Sequence, residues 1–180
     1  FSSQDAAALL ASIITLLPPI PKGTLHEAKT DKNITSSSDI YSECCAIVSA
    51  LIKFYPKQLY GCTPSVISVL HSLLSHATVA TGENAALMGI EFGKIAELLS
   101  AHSEVFKKHV LGLILFFVDS LVAGMSAATK RNLLPAIFSL LGLLSKHELH
   151  QLQVTMTPSS KSIFRSVFRD FQRLQYKGQY

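Results

Sequence analysis

Residues 110–128, VLGLILFFVDSLVAGMSAA, hold a single charged side chain, Asp119, among nineteen positions. This length approaches a bilayer span, but an acid near the middle of a spanning helix costs about 2.5 to 3.5 kcal/mol even on the permissive insertion scale. The break GMS at 124–126 also shortens the usable helix to about 103–123. Because a helix that is apolar on all sides is equally expected at the centre of a helical stack, we predict a buried helix here and no membrane partner.

Apolar residues recur with helical spacing along nearly the whole chain, and no stretch shows the sustained alternation of a strand. The predicted fold class is therefore all-α. Thr63, ahead of Pro64, and Thr157 are expected to cap helices, and Pro135 is expected to start or kink the second half of its helix. Eight helices are predicted, over residues 3–17, 39–55, 64–77, 84–100, 104–123, 127–144, 146–153 and 158–175.

The connections between most of these helices are short, which predicts antiparallel neighbours. Either a closed helical bundle or a helical solenoid satisfies that pattern. Helices of about 14 to 20 residues in successive pairs favour an irregular HEAT-like stack, an α-solenoid of about eight helices, although no fixed repeat period is visible.

We expect residues 1–180 to form one helical domain, since a chain of this length can bury roughly 70% of the surface that its unfolded form exposes. The chain begins at Phe1 and enters an apolar pattern directly, so we expect a piece of a longer chain. Three prolines in PPIP end the first helix, and the following polar stretch has too little apolar content to pack. Residues 18–38 are therefore predicted to be a mobile loop or a shortened insertion.

The chain contains three cysteines, an odd number with two adjacent in sequence, which forms neither a disulfide framework nor a CxxC ligand pair. Cys44 and Cys45 lie in the apolar run CCAIVSALI. We interpret them as small core hydrophobes rather than redox or metal groups, which fits a reduced, intracellular setting.

The run HELHQ, residues 147–151, differs by one residue from the HExxH motif, in which two His one turn apart bind zinc beside a Glu that acts as general base. Gln151 occupies the position of the second His, and neither His nor Cys follows His150 to supply a third ligand. A metal-dependent hydrolase is therefore the weakest functional alternative.

Ser145 and Glu148 instead match the S-x-x-E capping box, which satisfies two free backbone N–H groups at a helix start. In that interpretation Leu149 and Leu152 are core positions, while His147 and His150 are polar neighbours. The rest of the chain has no glycine-rich phosphate loop, no GxSxG and no paired-carboxylate motif. We expect no catalytic, cofactor-binding or metal-binding residues and no small-molecule substrate.

The net charge of the chain is concentrated in its last segment. The chain has 16 Lys and Arg against 12 Asp and Glu, a formal net charge of +4. Residues 158–180 contain five basic residues and one acid, so this segment carries the whole excess. The five basic residues follow one another at intervals of four and form one continuous ridge along a helix, called the basic ridge below: Lys161, Arg165, Arg169, Arg173 and Lys177.

The opposite side of the same helix carries apolar side chains within an arc of roughly 140°. These are Ile163, Phe164, Val167, Phe168, Phe171 and Leu174. We expect the helix to dock by this face and to present the basic ridge outward. Three interpretations of the ridge stay open: an ordinary solvated face, a contact surface for RNA phosphates or an acidic partner, and a membrane-surface helix.

Residues 102–178 resemble the C-terminal domain of a nucleolar pre-rRNA-processing family, that of the second Unhealthy Ribosome Biogenesis protein. The resemblance lies in the runs HSEVFKKHVLGLILFFVDSL, KRNLLPAIFSLLGLLSKHELHQLQ and SIFRSVFRDFQRLQYKG. The family motif has a basic residue and a Leu before a Pro, an aromatic residue, paired leucines, an acid-Leu pair and a final aromatic-basic helix ending in Tyr-Lys-Gly. Here these positions are Arg131, Leu134, Pro135, Phe138, Leu140, Leu141, Glu148, Leu149, Phe164, Arg165, Phe168, Asp170, Phe171, Tyr176, Lys177 and Gly178.

This resemblance implies a large helical-repeat scaffold of the nucleolus, inside the nucleus, of which the chain is the C-terminal part. It implies a place in an early large-subunit pre-ribosomal assembly that supports pre-rRNA processing. The implied partners are a companion large helical scaffold and a DEAD-box helicase, with pre-rRNA as a further candidate, and no enzymatic residues come with the resemblance. Without the resemblance, the residues predict only a helical interaction domain. A helical-repeat adaptor unrelated to ribosomes therefore stays open as the alternative.

Overall fold

A computed structural model describes residues 1–17 and 34–177, with side chains over 1–17 and 38–175. Across these ranges the chain forms nine α-helices and no strand, which confirms the predicted all-α class. The helices are α1 Ser3–Leu16, α2 Ile34–Phe54, α3 Pro56–Gly61, α4 Thr63–Val79, α5 Gly82–Ala101, α6 Ser103–Val122, α7 Ala127–Leu141, α8 Lys146–Thr155 and α9 Pro158–Lys177.

One of the nine, α3, was not predicted, because its six residues are too short to show an apolar period. Pro56 occupies its first turn, where a missing backbone N–H is tolerated. The predicted cap at Thr63 is wrong: Cys62 holds the N-cap position without a side-chain hydrogen bond. The Thr63 hydroxyl instead donates to the carbonyl oxygen of Tyr60 at 2.8 Å, which ties α4 to the end of α3.

The bounds of α2 and α7 also differ from the predictions. α2 begins at Ile34, so the last part of the predicted loop over 18–38 is helical, while residues 18–33 lie outside the described residues. α7 is one continuous helix through Pro135 and ends at Leu141 rather than Leu144. Residues 142–144 form a tight turn instead of a further turn of α7, because Ser145 already serves as the N-cap of α8.

One row of helices consists of α2, α5 and α7, and the contact between α5 and α7 is the most extensive in the molecule. A Cβ atom at Gly89 of α5 would lie 2.7 Å from the Cβ atom of Asn132 on α7, so the two backbones approach closely there. Further along, the Ser100 hydroxyl donates to the carbonyl oxygen of Ser139 at 3.3 Å. Since both contacts advance in the same order, α5 and α7 run in the same direction.

A second row consists of α1, α4 and α6. The rings of His71 on α4 and Phe116 on α6 pack in a tilted arrangement, with centroids 4.2 Å apart. The last turns of these two helices, at Thr78 and Ser120, border one cavity of about 360 Å³, so α4 and α6 also run in the same direction. The two rows meet through contacts of α4 with α5 and of α6 with α7, and the buried apolar side chains of both rows form one core.

α6 has one exposed side, which corrects the expectation of a helix buried all round. Its buried side chains are Phe106, Val110, Leu113, Ile114, Phe117 and Val118. The opposite side includes Gly112 and Asp119, both exposed. The predicted break follows α6 at Gly124, whose φ of 106° lies in the left-handed region that favours glycine. Among the described helices none is long and apolar enough to cross a membrane.

The cysteines are free and buried, which confirms the interpretation of Cys44 and Cys45 as core residues. Burial raises the pKa of the Cys45 thiol to about 12 and also raises the pKa of Cys44 and Cys62. A thiol with so high a pKa stays protonated and weakly nucleophilic near neutral pH.

Candidate interaction site

α9 docks through a stripe of buried side chains spaced four, three and four residues apart: Ser160, Phe164, Val167 and Phe171. The ring centroids of Phe138 on α7 and Phe171 lie 5.8 Å apart, and Phe168 stacks on Phe164 at the same distance. The predicted aromatic face is therefore confirmed in its centre. Its edge is corrected, because Leu174 is 56% exposed and Phe168 is only half-buried.

The start of α9 is fixed by two hydrogen bonds of Ser160. Thr157 caps the helix as predicted, since its Oγ1 accepts the Ser160 N–H at 3.2 Å. The Ser160 hydroxyl donates to Asp119 Oδ1 at 2.8 Å, which links α9 to α6. The one acid of the apolar run thus lies at a helix N-terminus, where the helix dipole favours negative charge.

The HELHQ segment is a capped helix start, as predicted. Glu148 Oε2 accepts the Ser145 N–H at 2.7 Å, and Ser145 Oγ accepts the Glu148 N–H at 3.3 Å. The Ser145 hydroxyl, then its backbone N–H and Lys107, lower the pKa of Glu148. Lys107 Nζ lies 3.2 Å from Glu148 Oε2 and fastens α8 to α6.

The predicted burial pattern of α8 is also confirmed. Leu152 is buried, Leu149 packs against the core, and His147 and His150 are exposed. Among the described side chains no group of three His, Cys, Asp or Glu lies close enough together to hold one metal ion.

The basic ridge faces outward over the part that the structure describes. Arg165, Arg169 and Arg173 are exposed, and Lys161 is half-buried. The side chain of Lys177 lies outside the described residues. Arg173 Nη1 is 3.8 Å from Asp170 Oδ1, a loose exposed pair of little energetic weight. The ridge therefore presents cations on a helix that its aromatic side holds in place.

The ridge meets α8 at its first two members. Lys161 and Arg165 line a cleft of about 200 Å³ together with His150, Gln153 and Val154 of α8. His150 and Val154 also line a larger cavity of about 480 Å³ between α6 and α8. The two hollows thus adjoin along α8 and are together called the α6–α8 groove below. The larger cavity is lined by Leu111, Gly112, Leu115, His150, Gln151, Leu152, Val154 and Thr155.

The groove joins an apolar floor to a cationic end. Val154, at the junction of the two hollows, is 64% exposed although it is apolar. Gly112 leaves the floor open, because a Cβ atom there would meet nothing within 4 Å. Such a surface can bind apolar side chains and an anionic group side by side. The sequence predictions missed it, although Gly112 inside an apolar helix and Val154 inside a polar one are local signals of it.

Comparison with known proteins matches the chain to one family. The model of the Urb2/Npa2 family matches residues 1–179. No curated protein and no solved structure matches the chain.

Proposed function

The chain belongs to the Urb2/Npa2 family, a family of ribosome biogenesis factors, and on that premise we propose that it is a non-catalytic scaffold module of early large-subunit assembly. In this role it supports pre-rRNA processing in the nucleolus by holding assembly factors together. The proposed partners are a companion large helical scaffold, a DEAD-box helicase and, through the basic ridge, pre-rRNA.

The order of the helices supports a HEAT-like α-solenoid as the form of this scaffold. In such a stack, successive helix pairs pack side by side, so that equivalent helices run in the same direction. The contacts group α2, α5, α7 and α1, α4, α6 into two rows, and the parallel pairs α5–α7 and α4–α6 support this arrangement. One continuous core from α1 to α9 further supports a single domain over residues 1–180.

The observation that carries the proposal is the exposed basic ridge on a firmly docked helix. A helix fixed by buried aromatic side chains holds its cations in one place, so they meet a partner without first being ordered. Phosphates and carboxylates are the groups that such a row of cations attracts. The residues proposed for this contact are Lys161, Arg165, Arg169, Arg173 and Lys177.

Reversal of two central charges tests the proposal. We expect Arg165→Glu with Arg169→Glu to weaken association with large-subunit precursors, measured by co-sedimentation on sucrose gradients, while the melting temperature changes little because both side chains are exposed. The matched control is Lys53→Glu with Lys57→Glu, which makes the same charge change at two exposed positions on α2 and α3.

The salt dependence of RNA binding separates phosphate contacts from other contacts. Log affinity for a pre-rRNA fragment should fall with log salt by about 0.7 to 0.9 per phosphate neutralised, and the ridge variant should flatten that slope. Binding of the ridge variant as tight as that of the parent chain, in both assays and across the salt series, would contradict the proposal.

A further inference from the structure

We propose that the α6–α8 groove binds an acidic amphipathic helix of a partner protein. This inference deepens the proposed scaffold function and rests on it, because it names the kind of segment that the module would hold. It is carried by three features of the groove: its apolar floor, the open position at Gly112 and the charge around it.

The floor of the groove suits the apolar face of a helix. Leu111 and Leu115 lie one turn apart on α6 and are half-buried, and Val154 faces them from α8 with most of its surface exposed. α6 and α8 form the two walls, as in the grooves that accept amphipathic helices. The side chains of the chain itself leave about 480 Å³ of this space empty.

Gly112 has no internal reason to lack a side chain. A glycine in a helix interior costs roughly 0.5–1 kcal/mol relative to alanine. At Gly89 the neighbouring helix occupies the space, since a Cβ atom would lie 2.9 Å from the carbonyl oxygen of Asn132. At Gly112 nothing of the chain lies within 4 Å of that position. The missing side chain lets a helix from outside approach α6 as closely as α7 approaches α5.

Cations predominate around the groove and favour an acidic partner, while Asp119, the exposed acid on the same side of α6 as Gly112, accepts the Ser160 hydroxyl. Lys161 and Arg165 line one end together with His150, and Lys108 is exposed one turn before Gly112. No acidic side chain lines either hollow within the described residues. Acidic side chains flanking the apolar face of a bound helix would therefore meet cations, and like charges would be repelled.

The lining favours protein over RNA in this groove. Single-stranded RNA is held by aromatic side chains on which bases stack, together with a basic track. The described lining of both hollows contains aliphatic and polar side chains and, as its single ring, the exposed His150. The floor thus offers contact area to leucines and little to bases.

A synthetic peptide tests the inference on the 180-residue chain. The probe is a fluorescein-labelled helix of about 18 residues, with Leu at the i, i+3, i+4 and i+7 positions and Glu on both flanks. A second peptide carries Lys in place of every Glu, and a uridine oligonucleotide serves as the RNA arm. Fluorescence anisotropy gives the dissociation constants. We expect the Glu peptide to bind at least about tenfold more tightly than the Lys peptide.

Two glycine variants locate the binding site. Gly112→Gln fills the floor of the groove and should weaken binding of the Glu peptide at least about tenfold. Gly93→Gln is the matched control, since Gly93 is also inside a helix with no atom within 4 Å of a Cβ position, but it lies on α5 outside the groove. The control should bind as the parent does. Val154→Asp, at an exposed position, provides a second groove variant whose effect on folding is small.

The outcomes are separable from those of the ridge experiment. Equal binding of the two peptides, or unchanged binding by both groove variants, would overturn the inference. So would RNA binding that depends on Arg165 while neither peptide binds, and this result would leave the proposed function standing. Tight, groove-dependent peptide binding in a chain whose ridge reversal does not affect pre-ribosome association supports the inference and counts against the ridge as the route to the pre-ribosome.

Discussion

The contact between α5 and α7 and the groove between α6 and α8 are two ways in which this chain uses glycine inside a helix. At Gly89 the backbone of α7 fills the place of a side chain, and the glycine itself is buried. At Gly112 the same place is empty and faces outward. The space at Gly89 is filled by another helix of the same chain, whereas the groove at Gly112 is bounded by α6 and α8 and is otherwise open to solvent.

Under the proposed function the two regions differ in role, since the closed contact contributes to stability and the open groove to binding. The closed contact joins two neighbouring helices of a row and contributes buried area to the fold. The open groove leaves apolar area of α6 and α8 exposed to solvent, which favours association with a further apolar surface. Three substitutions or conditions test this division, from the largest expected effect to the smallest.

The cationic end of the groove depends on the docking of α9, because Lys161 and Arg165 belong to this helix. Phe164 is fully buried, so Phe164→Ala should reduce the free energy of unfolding by about 3 to 5 kcal/mol, measured by urea denaturation. Leu174→Ala on the same helix is the control, because Leu174 is 56% exposed and its loss should cost well under 1 kcal/mol. Equal losses at the two positions would mean that α9 is not docked by its aromatic stripe.

The two glycines should respond to one substitution with opposite signs. Gly89→Ala forces a carbon atom against Asn132 and should destabilise the chain by about 1 to 3 kcal/mol. Gly112→Ala meets open space and should stabilise it by about 0.5 to 1 kcal/mol, the usual gain of alanine inside a helix. Thermal unfolding by circular dichroism measures both. A gain at Gly89, or a loss at Gly112, would show that the two environments are alike.

The sequence predicts well those features that depend on neighbours along the chain. The all-α class follows from apolar spacing, the cap at Ser145 follows from Glu148 three positions later, and the cap at Thr157 follows from its place directly before Pro158. The stripe of α9 around Phe164 and Phe171 has the same origin. Each of these signals lies within one helix, so one sequence is enough to detect it.

Features that depend on which helices become neighbours were not predicted. In the sequence, Asp119 indicated only that the segment is unsuited to membrane insertion. Its contact with Ser160 could be predicted only if the packing position of α9 were known. The groove likewise exists because α8 lies beside α6 and stops short of filling the space over Gly112. α3 escaped detection for a different reason, since six residues are too few to show a helical period.

The smallest expected effect concerns pH and the contact between α4 and α6. Desolvation lowers the pKa of His71, whose ring packs against Phe116 directly after the groove residue Leu115. The unfolded chain, with an ordinary histidine pKa near 6.5, therefore binds the proton more tightly than the folded chain. The contribution of His71 to stability is fully present above about pH 6.5 and is lost as the pH falls through the lower pKa of the folded state.

A neutral His71→Gln variant should lose less stability than the parent between pH 7.5 and pH 5.5, in urea titrations at matched salt. Carboxylates such as Glu148, whose pKa is lowered, titrate mainly below this window and affect both proteins alike. An identical loss of stability in the two proteins would mean that His71 is solvated in the folded state. The contact between α4 and α6 would then be open to water at this position.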